Sequence, residues 1–320
     1  MSRLYVIGNG FDCFAHGNSE GPMKTKYQDF RDYLIKNYPD CVYHTGIPEK
    51  TLTADHHDYD YNDNDMVGYI VKTLDDCEDG YWCTIEEAVG ASVFDEFSFA
   101  FDDDYDKMDD KEESWAIENN NETAENIKAA FSKIKDLFYD WVSYELAEID
   151  YSSYPANPSA EVVFNDVSAK DSFYVTFNYT RTLEEIYKVA DNNVCHPHGI
   201  VGDPKEYIIF GHGAETPDRD KEFYLYQSTL NDLHEELRKN TLSPKYELKN
   251  WLDGIKDITE IYSYGFSFSE VDLGYIEEIK NHVNLLKTVW YLNNYDYTYN
   301  PEYKKKLENL GFTVKPDMRW

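Results

Sequence analysis

Short apolar runs alternate along the chain with longer segments in which apolar residues recur every three or four positions. Such runs predict strands, and such periodicity predicts helices. Predicted strands occupy residues 4–7, 172–177, 207–210, 257–264, 288–292 and 312–315, and a further strand ends at Cys195. Predicted helices occupy residues 24–37, 82–101, 122–150 and 301–310, and helices also follow the strands at 172–177 and 257–264. This alternation is typical of an α/β fold with a doubly wound, mainly parallel sheet.

The region between the first two predicted strands has a different character. Residues 39–79 are rich in Asp and Tyr and are predicted to form loops, and the sequence YPANP at 154–158 breaks the chain. We therefore expect a single α/β domain over residues 1–320. It would contain an inserted helical, acidic subdomain at residues 40–150, and residues 151–320 would return to the α/β core.

The charge of the chain is strongly and unevenly negative. The formal net charge is -32 at pH 7. Residues 55–79 carry nine acids and one lysine, and residues 95–125 carry thirteen acids and two lysines, so both segments are expected to face solvent. Repulsion from phosphate backbones and from anionic lipids argues against nucleic acid or a membrane as a partner.

The absence of a targeting signal and the spacing of the cysteines lead us to expect a cytoplasmic protein. The sequence has no basic, apolar leader and no apolar run long enough to span a membrane. Its five cysteines are scattered without C-x-x-C spacing, which argues against a disulfide framework and against a zinc site.

The first predicted strand ends in a glycine-rich turn within MSRLYVIGNGFDCFAHG at residues 1–17. Glycines on both sides of an asparagine allow a tight turn and let a ligand approach bare N–H groups, which suits a phosphate. Strand-to-helix turns also use glycine for steric reasons alone, and the dinucleotide fingerprint requires a third glycine where Cys13 stands. The turn and the ionisable residues after it are Gly8, Asn9, Gly10, Asp12 and His16.

Polar residues also follow three later strands. Asn178 follows one of them, where an amide would bind a ligand or cap a helix. His196 and His198 would point the same way on a strand, so zinc is one interpretation. Because no cysteine or carboxylate lies at suitable spacing, we expect His198 to be a base and His196 a packed neighbour. Ser269 and Asp272 follow the last of the three and are also explained as a helix cap and its first turn.

Four motifs lie at these strand ends: GNGFD at 8–12 with HG at 16–17, FNYTRTLEEIY at 177–187, HPHG at 196–199 and YGFSFSEVD at 264–272. Together they resemble the AbiH family of bacterial phage abortive-infection proteins, in the family's order and over nearly the full chain. Glu86 falls where that family tends to keep a glutamate, although a solvated glutamate near a helix N-terminus also explains it. The resemblance implies a role in antiviral defence.

The AbiH family is distantly similar to sirtuin-like domains, which bind NAD at a glycine-rich first turn. The resemblance therefore implies NAD as a ligand or substrate. Asn9 and Asp12 replace the alanine and serine of the sirtuin loop, and the zinc-binding cysteine quartet is missing, which argues against protein deacylation. The matching residues are Gly8 and Gly10 for the phosphate loop, Asn178 and His198 for the site asparagine and histidine, and Gly265 and Ser267 for the ribose or adenine side.

The mechanistic hypothesis is cleavage of the bond between nicotinamide and ribose in NAD or a related nucleotide. Such cleavage passes through a sugar cation, so the site needs negative or polar groups beside the ribose and an oriented water. Asp12 would stabilise the cation, His198 would activate a hydroxyl or water, and Asn178 would fix the substrate. No metal is expected. The nucleotide would be bound by Gly8, Asn9, Gly10, His16, Gly199, Gly265, Ser267 and Asp272.

Two other functions remain open. The first is a non-catalytic module that senses a nucleotide or binds a protein partner, such as a phage-derived trigger, through the acidic segments. The second is a metal-dependent phosphohydrolase or nuclease, although the negative charge opposes the approach of a nucleic acid. Its metal would be held by Asp12, His16, His196, His198 and Asp272.

Overall fold

The computed structural model describes residues 1–13, 23–53, 58–76, 85–92, 101, 108–165, 171–214 and 225–319. The chain forms two compact units. The first comprises Met1–Lys26, Val142–Ile209 and Asn240–Trp320, and the second comprises Tyr27–Trp141 and Phe210–Lys239. Within the described ranges, no helix is long and apolar enough to cross a membrane.

Strands and helices alternate through the first unit, and helices dominate the second. The strands are β1 (Ser2–Ile7), β2 (Lys50–Leu52), β3 (Tyr59–Tyr61), β4 (Ser172–Thr176), β5 (Val194–Cys195), β6 (Ile258–Tyr264), β7 (Val289–Asn293) and β8 (Thr313–Asp317). The helices are α1 (Asn9–Asp12), α2 (Tyr27–Asn37), α3 (Asp63–Asp75), α4 (Ile85–Ser92), α5 (Asp110–Ser132), α6 (Ile134–Asp140), α7 (Pro158–Asn165), α8 (Thr182–Glu185), α9 (Leu225–Leu237), α10 (Leu242–Leu252), α11 (Leu273–Asn281), α12 (Asn294–Tyr299) and α13 (Pro301–Asn309).

A six-stranded parallel sheet forms the centre of the first unit, in the order β5-β4-β1-β6-β7-β8. Counted along the chain, these strands have the spatial order 3-2-1-4-5-6, which is that of doubly wound sheets. The predicted α/β fold is therefore confirmed. The strand order reverses between β1 and β6, and the crevice outside their carboxyl ends is where such sheets place ligands.

Side chains of β1 alternate between two cores because successive residues of a strand point to opposite faces. Leu4 and Val6 belong to one apolar cluster, and Tyr5 and Ile7 belong to the other; all four are fully buried. This burial on both faces is typical of parallel sheets. A row of stacked tyrosines crosses the second face, with ring centroids 4.9 Å apart for Tyr174 and Tyr5, 5.2 Å for Tyr5 and Tyr262, and 4.8 Å for Tyr262 and Tyr291.

The helix predicted at 122–150 has different bounds. Helix α5 begins at Asp110 and ends at Ser132, and the chain continues through α6 and a π-helical turn at Trp141–Glu145. Its start is fixed by a capping box, because the Asp109 carboxylate accepts from the backbone N–H of Glu112, and the Glu112 side chain accepts from the N–H of Asp109. The first turns of α5 are acidic, so the apolar periodicity that predicts this helix begins only at Ala116, which is buried.

We expect Asp109→Ala to lower the free energy of unfolding by about 1 kcal/mol, since it removes the carboxylate that accepts from the N–H groups of Lys111 and Glu112. Urea denaturation followed by circular dichroism measures the change. Asp110→Ala is the matched control, because Asp110 is an acid in the same turn that lies outside the capping box. Equal losses in the two variants would contradict a capping role for Asp109.

Two further predictions of local structure are wrong. Residues 39–79 contain the β2–β3 hairpin and helix α3, whose apolar face is buried at Val67, Ile70 and Leu74; Asn62 caps α3 by accepting from the N–H of Asn64. Residues 207–210 form no strand, because Lys205–Tyr207 is a 3₁₀ turn. Helices α9 and α10 were not predicted. Of the helix predicted at 82–101, residues 85–92 form α4, residue 101 is not helical, and the others lie outside the described residues.

Candidate functional site

A cavity of about 510 Å³ opens at the carboxyl ends of β1, β6 and β7. It lies where the strand order reverses, so its position matches the ligand site of doubly wound sheets. Among the described residues that line it, none is a lysine or an arginine, and aromatic rings predominate. The lining residues are Gly10, Phe11, Tyr264, Gly265, Phe266, Ser267, Asn293, Tyr295, Asp296 and Tyr303.

The glycine turn after β1 packs against the turn after β6. The N–H of Gly8 donates to the carbonyl of Tyr264 at 3.0 Å, and the N–H of Gly10 donates to that of Gly265 at 3.1 Å. A Cβ on Gly8 would lie 2.3 Å from the Gly265 oxygen, and one on Gly265, whose φ is +63, would lie 2.2 Å from the nitrogen of Phe11. These glycines are required by the close approach of two backbones. The N–H groups of Gly8 and Gly10 already donate to backbone carbonyls of the protein. A bound phosphate would therefore need other hydrogen-bond donors.

Asp12 ends helix α1 and is fully buried. The hydroxyl of Thr180 donates to Asp12 Oδ2 at 2.6 Å, and the Thr180 and Thr182 hydroxyls lie 3.0 Å apart. Burial raises the pKa of Asp12 to about 6 from its usual 3.8, although polar contacts with Thr180, Thr182 and Asn178 and the field of His196 oppose the rise. A carboxyl group with a pKa near neutrality is suited to proton transfer and to charge stabilisation.

Asn178 follows β4 and is 4% exposed. Its side-chain oxygen and Asp12 Oδ1 are both buried and have no hydrogen-bond partner within the part of the chain that the structure describes. Its backbone oxygen lies 3.2 Å from Nδ1 of His196, whose Nε2 lies 2.9 Å from Oε1 of Glu184. No pattern in the sequence indicates Glu184 as the carboxylate that pairs with His196, because the two residues meet only when α8 folds beside the end of β5.

His198 forms a second pair, with Asp272. Its Nε2 lies 3.3 Å from Asp272 Oδ1, and both side chains are less than a tenth exposed. Phe177 and Tyr275 pack edge-on against the imidazole, with centroids at 4.9 and 5.5 Å. Neither histidine lies on a strand, because β5 ends at Cys195, so the expectation that they share a strand face is wrong.

The residues predicted for the site thus fall into three groups. Gly10, Gly265 and Ser267 line the cavity, Asp12 and Asn178 face one another, and His198 pairs with Asp272. Gly199 has a φ of +82 and lies so close to the carbonyl of Tyr207 that it has no room for a side chain. Asn9 is half-buried in α1, and His16 lies outside the described residues. The hydroxyls of Thr180 and Thr182 were not predicted; their place in the motif FNYTRT, directly after Asn178, is the signal that could have found them.

Comparison with known families decides what kind of protein this is. The family described as "Bacteriophage abortive infection AbiH" matches residues 4–294. The chain belongs to the AbiH family. The resemblance drawn from the four motifs is therefore confirmed, and membership implies a role in abortive infection of phage. No curated protein and no solved structure matches the chain significantly.

The metal-dependent alternative can be compared with the geometry of this AbiH chain. In the described residues, His, Cys, Asp and Glu side chains nowhere form a group of three or more that could hold a metal ion. His196 and His198 are instead engaged in separate pairs with Glu184 and Asp272.

Glu86, which the AbiH resemblance singles out, lies in the second unit and is not a solvated residue. Its Oε1 lies 3.0 Å from Nζ of Lys239, whose side chain is 0% exposed. The same carboxylate accepts from the N–H of Gly211 at 3.4 Å. Beside it, burial lowers the pKa of His212 to about 4, and the ring of His212 lies 4.2 Å from that of His234. Buried ion pairs of this kind fix a local structure more than they add stability.

Proposed function

We propose that this AbiH protein acts in phage defence by cleaving the N-glycosidic bond of NAD or a related nucleotide. Asp12 is the observation that carries the proposal: a fully buried carboxyl group whose pKa is raised to about 6, one residue beyond a cavity-lining segment at the point where the strand order reverses. Such perturbed groups in clefts are enriched at functional sites.

The chemistry needs a negative group beside a ribose. When the C1′–N bond breaks, its electron pair leaves with nicotinamide, and positive charge develops on the sugar. Ionised Asp12, held by the Thr180 hydroxyl, stabilises that charge. Water then adds to C1′ and gives its proton to His198, which Asp272 orients and whose imidazolium it stabilises.

The cavity supports a nucleoside as the recognised part of the substrate. Its volume of about 510 Å³ lies within the range of small-molecule pockets. Rings of Phe266, Tyr295 and Tyr303 offer apolar faces to a planar heterocycle, and Ser267 and Asn293 offer polar groups.

The test follows NAD and nicotinamide in phage-infected bacteria that carry the wild type, His198→Ala or Asn178→Ala. We expect infection to deplete NAD with the wild type and to leave it intact with both variants, since each loses roughly a hundredfold or more in turnover. The controls are His282→Ala and Asn284→Ala, which change the same residue types. Both residues lie shortly before the amino end of β7, whereas the site lies at the carboxyl ends of the strands.

NAD that stays constant with the wild type, or that falls equally with the site variants, would contradict the proposal. Purified protein separates catalysis from binding. If NAD raises the melting temperature and no nicotinamide is released on infection or in vitro, the nucleotide-sensing module becomes the better account.

A further inference from the structure

Asp296 gives the cavity a charged wall. It is the one acidic residue among the described residues that line the cavity, and none of these is a lysine or an arginine. It belongs to the short helix α12, directly after β7, and is 8% exposed. The proposed mechanism does not use Asp296, so its effect on the occupant of the cavity is a separate question.

Local hydrogen bonds hold Asp296 in its ionised form. The side-chain oxygen of Asn293 accepts from the backbone N–H of Asp296 at 2.9 Å and so caps α12. One carboxylate oxygen of Asp296 accepts from the amide group of Asn293, and the other accepts from that of Asn300 at 2.9 Å. Burial raises the pKa of Asp296, and these two hydrogen bonds oppose the rise, because donors to both oxygens favour the carboxylate over the acid. The cavity wall therefore carries a fixed negative charge.

Basic residues of the surrounding elements do not offset this charge. Lys306 of α13 lies 2.9 Å from Glu270, and Arg319, which follows β8, lies 2.9 Å from Asp317. Each of these bases thus has an acid of its own as partner. The chain as a whole adds to the same sign, with a formal net charge of -32.

A negative wall selects the occupant of a cavity by charge. A carboxylate on a bound ring would repel Asp296 strongly, because the dielectric constant of a buried site is far below that of water. A carboxamide has the same shape as a carboxylate, carries no charge and offers N–H donors, which suit a carboxylate acceptor. The nicotinamide ring bears such a carboxamide, and nicotinic acid is its carboxylate counterpart.

We propose that Asp296 is a specificity-determining residue, which admits a planar ring with a neutral carboxamide to the cavity and rejects the same ring with a carboxylate. The inference rests on the proposed function for the class of substrate. It adds that NAD is accepted and that the corresponding dinucleotide of nicotinic acid is refused. Specificity of this kind comes from repulsion of the wrong ligand as well as from contacts with the right one.

The probes are three ribosides in which a carbon–carbon bond joins a benzene ring to the ribose and prevents hydrolysis. Their meta substituent is a carboxamide, a carboxylate or an aminomethyl group, which is neutral, negative or positive at neutral pH. Isothermal titration calorimetry on the full chain compares their affinities. We expect the carboxylate to bind about tenfold to a hundredfold more weakly than the carboxamide, because it meets a like charge in a buried site. The aminomethyl compound should bind no more weakly than the carboxamide.

Asp296→Asn removes the charge and conserves the shape of the side chain, and it should reduce the ratio of carboxamide to carboxylate affinity to about threefold or less. Glu302→Gln is the matched control. Glu302 is an exposed acid at the start of α13 whose charge helps to raise the pKa of Asp296, and it lies outside the described lining residues. Because exposed charges are screened, the control should keep the wild-type ratio. The three probes on the wild type test the inference even if Asp296→Asn does not fold.

Equal affinities of the carboxamide and the carboxylate for the wild type, no binding of the carboxamide, or an unchanged ratio in folded Asp296→Asn would overturn the inference. So would an aminomethyl compound that binds as weakly as the carboxylate, since charge would then not be what is recognised. Displacement of the carboxamide riboside by a lower concentration of adenosine would assign the cavity to the other ring of NAD and would overturn it as well.

Failure of this inference is distinguishable from failure of the proposed function. Discrimination among the probes without NAD cleavage leaves the role of Asp296 and removes the enzyme. Cleavage of NAD and of its nicotinic acid counterpart at equal rates leaves the enzyme and removes the role of Asp296.

Discussion

Asp12→Asn is expected to make the protein more stable at pH 8 and to abolish the proposed hydrolysis. In the folded chain the pKa of Asp12 is raised to about 6 by burial, against 3.8 ordinarily. A raised pKa means that the folded state binds the proton more tightly than the unfolded state. Protonated Asp12 therefore stabilises the folded state fully below pH 3.8, and this stabilisation is lost as the pH rises through about 6.

The variant does not ionise, so the stability it gains over the wild type should grow by about 2 kcal/mol between pH 4 and pH 8. Urea denaturation of both proteins at the two pH values measures this growth, and other titrating groups cancel in the comparison. Asp191→Asn removes the same charge from an exposed position and should show no comparable growth. A gain that is equal at pH 4 and pH 8 would contradict the ionisation of a buried Asp12.

The same variant should lose about a hundredfold to ten-thousandfold in nicotinamide release, because it cannot place a negative charge beside the ribosyl cation. The rate at which the wild type releases nicotinamide should rise with pH through about 6, where Asp12 ionises. The residual rate of the variant should not show this rise. Higher stability together with lower activity excludes misfolding as the cause, and it would identify Asp12 as a strained functional residue.

The parallel sheet could be predicted from the sequence because its signal is local. Strand β1 buries an unbroken apolar run at residues 4–7, and β4 carries a similar run before the polar residues that follow it. Helix α3 was missed because acids and tyrosines surround its buried residues Val67 and Ile70, and the cap at Asn62 that fixes its start is a single side chain.

The site could be predicted only in part, for a related reason. Asp12 and Asn178 each end a strand-and-turn motif, so topology brings them together. The pair of His196 and Glu184 depends on the packing of α8, which no periodicity encodes. The glycines at the first turn could be singled out from the sequence. The reason that they are glycines could not, because they leave room for the backbone of Gly265, which is more than 250 positions away.

The second unit offers the other large effect. Lys239→Met is expected to lower the free energy of unfolding by about 3–5 kcal/mol, because it leaves the carboxylate of Glu86 in a site where that side chain is only 13% exposed. The double variant Glu86→Leu/Lys239→Met should recover most of this loss, since it removes both charges and leaves two apolar side chains. Urea denaturation of the wild type, both single variants and the double variant gives the coupling energy of the pair.

Lys128→Met is the control, because Lys128 lies 3.6 Å from Asp232 in the same unit but that pair is exposed, at 30% and 69%. It should cost less than about 1 kcal/mol, as surface ion pairs do. A loss in Lys239→Met no larger than that of the control would show that solvent reaches Glu86 in the folded protein. A large loss with recovery in the double variant would instead assign Glu86 to the architecture of the second unit, and the glutamate that the AbiH resemblance singles out would need no role in catalysis.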